Sequence, residues 1–220
     1  GLPAKEGQVT RRGRFLRADL LTNIPEESQS ALADYGVRTA IDLRQSAELA
    51  SHPSVLADAP GITYLHRNLL GNDELPAEAL DYSADSYAWT LRERQSQMRE
   101  TLAALGAPGA TPAVFFCAGG TDRTGIIAAL LLGVAGVPHE AIAADYHLSA
   151  RELADRFAAE GRPHWMEPTQ DAYEVAVTTL ARPEIMMSTL GYLDRSFGGV
   201  EGYMSAIGLD AEQISGLRQA

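Results

Sequence analysis

Five residues, Ala118, Gly119, Gly120, Thr121 and Asp122, separate the chain's single cysteine, Cys117, from Arg123. A thiol acts as a nucleophile in its thiolate form, and its pKa falls to roughly 3.5–7.5 beside cations or at a helix N-terminus. Arginine offers a planar fork of donors that grips two oxygens of a phosphate at once. Gly119 and Gly120 lack a Cβ, so several consecutive backbone amides can turn toward one centre. Together these residue types describe a thiolate beneath a bound phosphate. The alternative is that Cys117 is a buried small residue ending a core strand, which leaves Gly119, Gly120, Asp122, Arg123 and Thr124 between two apolar segments without an explanation.

The flanking segments supply the geometry that such chemistry needs. The apolar run Ala113 to Phe116 predicts a buried strand, and Ile126 to Leu132, just beyond Thr124 and Gly125, predicts a buried helix. The first amides of a helix have no intrahelical acceptor and sit at the positive end of its dipole, so they add to the attraction for an anion.

Around this motif, 220 residues at 45% apolar composition are enough for one sizeable core, and no linker divides them, so residues 1–220 are expected to form one domain. A formal charge of −11 argues against nonspecific affinity for nucleic acid or anionic membrane. A single cysteine excludes an intrachain disulfide, and a catalytic thiolate survives best in a reducing compartment, which favours a cytoplasmic location. No signal peptide or membrane span is visible, the longest apolar run, Ile126 to Val137, being too short to cross a bilayer. Secretion stays open, because the chain starts at Gly1 and a leader could have been removed.

In chain order, Arg11 to Leu21 reads as a short strand or extended entry with its arginines on a solvated face. Asn23 and Pro25 suit a helix start and Gly36 a stop. Val37 to Leu43 predicts a central strand and Ile62 to His66 another, with a short helix near Ser46 to Leu49 between them. Tyr87, Leu91, Met98, Leu102 and Leu105 fall at helical spacing within one long helix, Ser83 to Leu105. Further helices are expected over Glu140–Ser149, Arg151–Ala159, Gln170–Leu180 and Pro183–Phe197, with a small pair from Val200 onward. The pattern is α/β, a central sheet covered by helices on both faces with a helical C-terminal half.

The loop Phe115 to Gly125, the upstream GRFLRADLL and GVRTAIDLR, the segment ADYHLS and the C-terminal GGVEGYMSAIGLDAEQISGLR occur in an order that resembles the bacterial, cysteine-dependent tyrosine phosphatase family. The resemblance implies a tyrosine-phosphatase-like fold and a phosphomonoester hydrolase that needs no metal or other cofactor and works through a cysteinyl-phosphate. Its substrates would be phosphotyrosine proteins, sometimes phosphoserine, phosphothreonine or phosphoinositides, or small phosphomonoesters, with inorganic phosphate as product. Cys117 would be the nucleophile. Arg123 and the amides of Ala118, Gly119, Gly120, Thr121, Asp122 and Arg123 would hold the phosphoryl oxygens. Thr124 would donate to the sulfur as it leaves, or serve as an ordinary first-turn threonine.

An acid must protonate the departing oxygen, and the segment after the second strand offers Asp73, Asp81 and Asp85. Family order favours Asp73, with a surface-loop role as the alternative; Asp81 and Asp85 suit a helix start. Arg44 would bind substrate, or pair with Asp42 or Asp122. Asp122 would point away to an arginine or position water or a second substrate group, and Asp145 and Tyr146 match a family pair that also reads as packing and capping. Two positions depart from the family pattern: Phe116 stands where histidine usually precedes the cysteine, and Thr121 stands where relatives carry lysine. The first implies slower catalysis or a higher pH optimum, the second a weaker grip on a second phosphate. A phosphoinositide phosphatase, or a weakly active relative that binds phosphorylated partners, therefore stays open beside the tyrosine phosphatase. The five histidines, His52, His66, His139, His147 and His164, show no metal-ligand spacing.

Overall fold

The structure, a computed structural model, describes residues 1–80, 83–161 and 169–220. Four short strands, β1 (Phe15–Ala18), β2 (Thr39–Asp42), β3 (Thr63–His66) and β4 (Ala113–Phe116), make one parallel sheet in the order β1-β4-β2-β3. The strand that carries Cys117 is therefore internal, and the cysteine leaves its carboxyl end, where open parallel sheets place their ligands.

A strand covered on both faces carries apolar residues throughout rather than alternating with polar ones, yet its pleat still sends neighbours to opposite layers. Ala113 and Phe115 of β4, and Cys117 beyond it, join the large core, while Val114 and Phe116 join a smaller cluster with Leu21, Val37, Ala40 and Leu56. Leu32 of α1 (Glu26–Asp34) packs on that smaller cluster. The large layer is built on α6 (Asp122–Val134), apolar on every side, against which α7 (His139–Glu160), α9 (Pro183–Phe197), α10 (Val200–Ala206) and α11 (Ala211–Gln219) gather. Helices thus cover the sheet as its α/β pattern implied.

Three of the expected helical regions differ in the structure. The single helix foreseen over Ser83 to Leu105 is two, α4 (Ala84–Glu93) and α5 (Gln95–Gly106), broken at Arg94, whose φ of −115° and ψ of 36° leave the helical region. The Arg94 guanidinium lies 4.8 Å from the Trp89 ring centroid, a cation–π contact that spacing does not announce. Conversely, α7 runs unbroken through Ala150, where two helices were expected, because buried Ala150 and Leu153 continue its apolar face and no glycine or proline interrupts it. The Gln170–Leu180 helix is a short α8 (Ala172–Val175) followed by a π turn, Ala176–Leu180. Two short helices, α2 (Ser46–Ser51) and α3 (Ala77–Leu80), lie between strands and α4. Among the described residues no helix is long and apolar enough to cross a membrane.

Candidate active site

Cys117 lies at the floor of the loop, 1% exposed. What shapes the cup is the direction of the carbonyls above it. Ala118 O accepts from Arg156 Nη1 of α7 at 2.9 Å, Gly119 O from the Thr121 hydroxyl at 3.2 Å, and Gly120 O from Arg17 Nη2 of β1 at 3.4 Å. With three successive carbonyls engaged, the amides of residues 118–121 are left over, and none of them donates to another group among the described residues. Gly120 has φ +67°, and a Cβ there would stand 2.9 Å from Ala18 O, so glycine is needed for both conformation and space. The helix begins at Asp122, before the apolar run, and Gly125 N–H donates to Thr121 O at 2.7 Å to open its ladder. Its N-terminus is therefore part of the cup.

Arg17 is held by more than the loop. Its Nη1 donates to the Asp145 carboxylate at 2.8 Å and its Nη2 to Ser149 Oγ at 2.5 Å, both on α7. The solvated face expected for the N-terminal arginines is thus corrected: Arg17 bridges β1, the loop and α7, and Asp145 steadies it. Arg11 and Arg14 donate to the carbonyls of Gln219 and Ala220.

Arg123 is oriented by a residue that the sequence reading did not single out. Its Nη1 and Nη2 donate to Oε2 and Oε1 of Glu48 at 2.5 and 2.9 Å, a bidentate pair that leaves further N–H bonds of the guanidinium for a phosphate. Glu48 is held by the Gln45 amide at 2.7 Å, in a capping box at the start of α2. The one available signal was an acidic residue three positions after a helix N-cap. Burial pushes the Glu48 carboxyl up, but the Arg123 bonds and charge more than offset this and leave it below its ordinary value. Burial likewise pulls Arg123 down, while the Glu48 bonds and the charges of Cys117, Glu48 and Asp122 hold it above its ordinary value.

Asp122 and Arg123 share the wall of a cavity of about 200 Å³, with Gln45, Leu70, Leu75 and Ile126 among the other lining residues. Asp122 Oδ1 lies 2.6 Å from the hydroxyl of Tyr87, which is 2.7 Å from the hydroxyl of Tyr146, which donates to Leu180 O at 3.0 Å. Burial pushes the Asp122 carboxyl up, and the Tyr87 bond and the Arg123 charge recover only part of that, so it stays above its ordinary value. Tyr146 reaches this position because the helix presents Gly125 to its ring; a Cβ at Gly125 would meet ring carbons at 2.9 Å.

The other expected residues are placed less centrally. Thr121 is buried and its hydroxyl serves the loop, as above. Thr124 is fully buried and its hydroxyl has no hydrogen-bond partner among the described residues, so the expected contact with the Cys117 sulfur is not made in this structure. Arg44 is corrected from a phosphate ligand to a structural residue: it is 0% exposed, its Nε and Nη2 are held by Asp42 at 2.6–3.1 Å, and its Nη1 donates to His52 O. Tyr64 donates to the same Asp42 carboxylate at 2.7 Å. Phe116 is buried on the opposite layer from Cys117, with the Arg44 guanidinium 5.8 Å from its ring centroid. Asp73 is 80% exposed, 3.6 Å from Arg94, and is absent from the wall that Asp122 and Arg123 share. Asp85 is exposed in the first turn of α4, and Asp81 lies outside the described residues, as does His164. His66 and His147 are engaged with the carbonyls of Arg44 and Ala181.

A family model described as the tyrosine phosphatase family matches residues 1–220. A tyrosine-protein phosphatase of Nostoc commune is 29% identical over 231 residues, covering 98% of this chain and 76% of the relative. The triple specificity protein phosphatase PtpB of Mycobacterium tuberculosis is 25% identical over 259 residues, covering 98% of this chain and 93% of the relative.

Proposed function

Because the chain belongs to the tyrosine phosphatase family and is a protein-tyrosine phosphatase, we propose that it hydrolyses phosphotyrosine and similar aryl phosphates through a phosphocysteine at Cys117. The observation that carries the reading is the buried thiol beneath a loop whose carbonyls at 118, 119 and 120 are all engaged by side chains, which leaves amides for an anion. The phosphoryl group sits in that cup with Arg123 on two of its oxygens. The Cys117 thiolate attacks phosphorus as the bond to the aryl oxygen breaks, and the aryl group leaves along the cavity flanked by Leu70, Leu75 and Ile126.

The proton for the leaving oxygen comes from Asp122, an acid whose pKa is held up by burial within that cavity wall. Asp73, exposed and outside the wall, is the competing donor. Water then attacks the phosphocysteine, Asp122 takes its proton, and inorganic phosphate departs as the thiolate re-forms. The Thr124 hydroxyl, a buried donor without a partner among the described residues, is available to that sulfur. The phosphoinositide reading is less favoured, since the side chain at the position of the relatives' lysine is a buried threonine bonded within the loop. Hydrolysis of 4-nitrophenyl phosphate, unaffected by chelator and abolished in Cys117→Ser, is the expected result. Equal phosphate binding by wild type and variant with no turnover by either would make the protein a binding module.

A further inference from the structure

Three short contacts run in series from Asp122: to Tyr87 at 2.6 Å, from Tyr87 to Tyr146 at 2.7 Å, and from Tyr146 to Leu180 O at 3.0 Å. Each needs one proton between its two oxygens. The last acceptor is a backbone carbonyl, which has none to give. The two phenols bring one proton each, and both stay neutral at physiological pH because burial raises their pKa values. Two protons cannot fill three contacts. The third must be on Asp122.

We infer that Tyr87 and Tyr146 form a directional relay that keeps Asp122 loaded with the proton it delivers to the leaving group. This rests on the reading of Asp122 as the acid. In the loaded state the carboxyl donates to Tyr87, Tyr87 to Tyr146, and Tyr146 to Leu180 O. On delivery the carboxyl O–H turns to the leaving oxygen, and Tyr87 swings its own proton from Tyr146 onto the new carboxylate. When water is split in the second step, the carboxylate regains a proton and Tyr87 swings back. No co-reactant is needed.

The charges around the relay set what it must overcome. Arg123, next to Asp122 on α6, favours the carboxylate. Arg17 from β1 and Arg182 from the start of α9 act on Tyr146, and Glu48 from α2 reaches Asp122 only through Arg123. The far end is fixed: His147 bonds Ala181 O at 2.9 Å beside Leu180, and Tyr146 rests against Gly125. Tyr87 and Tyr146 meet edge to face, with ring centroids 6.3 Å apart, and their hydroxyls lie 2.7 Å from each other. Both tyrosines are positioning residues; only Asp122 touches the reacting atoms.

The test uses the pH profile of kcat/KM for phenyl phosphate, whose poor leaving group needs the acid, with 4-nitrophenyl phosphate as the less demanding substrate. Tyr146→Phe removes the acceptor of Tyr87's proton, so Tyr87 donates permanently to Asp122 and favours the carboxylate. The basic limb should move down by about one pH unit, more visibly for phenyl phosphate. In a Tyr87→Phe background, adding Tyr146→Phe should move it no further. A basic limb at the wild-type pH in Tyr146→Phe, or one moved upward, overturns the relay. Should Tyr146→Phe fold poorly, infrared difference spectra of wild type against Asp122→Asn at neutral pH decide the same point. A protonated-carboxyl band supports the relay, and a carboxylate band in its place overturns it. If Asp122→Asn hydrolyses phenyl phosphate at full rate and Asp73→Asn does not, the acid assignment itself fails, an outcome distinct from failure of the relay alone.

Discussion

Glu48 decides where the Arg123 fork points, and so whether the cup grips a phosphate squarely. Replacing it by glutamine keeps the size but removes the charge and one acceptor. Misplacing a clamp by about 1 Å costs on the order of 10²-fold in rate, so Glu48→Gln is expected to lower kcat/KM for 4-nitrophenyl phosphate by about that factor while the fold survives. A wild-type value would show that the pair is incidental. Asp42 makes the contrasting case of an ion pair that serves the fold. Burial pushes its carboxyl up, yet the bonds from Arg44 and Tyr64 bring it below its ordinary value. A depressed folded-state pKa contributes stability that is present above the unfolded value near 4 and is lost as pH falls through the folded one. Asp42→Asn leaves Arg44 charged, 0% exposed and half-partnered, and should cost about 3–5 kcal/mol in chemical denaturation. It should also flatten the loss of stability below about pH 4, with KM little changed in protein that remains folded.

At the level of elements, the cup is a joint of β1, β4, α6 and α7, and Arg17 is the bolt between them. Arg17→Met keeps much of the stem's packing but frees Gly120 O and Asp145. Phosphate should inhibit this variant several-fold less well, with melting lowered by roughly 6–12 °C, consistent with losing the three hydrogen bonds to the Asp145 carboxylate, Gly120 O and Ser149 at about 1 kcal/mol each. Inhibition by phosphate equal to wild type would remove the carbonyl-pinning account. These elements also show what the sequence made legible. The strand, loop and helix around Cys117 could be read because an apolar run, two glycines and a second apolar run are local signals. Arg17, Glu48, Tyr87 and Arg156 could not, because each meets the site across 35 or more positions of chain, where no periodicity speaks. The break at Arg94 was hidden for a related reason: helical spacing of apolar residues persists across a bend when both segments face the same core.

Over the whole molecule, the fold class followed from the order of apolar segments, since parallel strands with helical crossovers have few other arrangements. Which aspartate lines the cavity did not follow, because Asp73 and Asp122 differ in burial rather than in residue type. The net charge of −11 has its own consequence. A field of that sign slows the approach of a dianionic phosphate, and salt screens it over about 10 Å at 0.1 M. The value of kcat/KM for a phosphotyrosine peptide with acidic flanks should therefore rise between 20 and 200 mM salt, on the order of a few-fold. A fall would place the substrate's recognition on the arginines of the surface instead.

The central claim is a covalent phosphate on one sulfur, and mass spectrometry of enzyme quenched in acid during turnover of a phosphotyrosine peptide reads it directly. The account predicts a single phosphate adduct that maps to Cys117, together with no adduct and no turnover in Cys117→Ser. Undiminished hydrolysis by Cys117→Ser would contradict it.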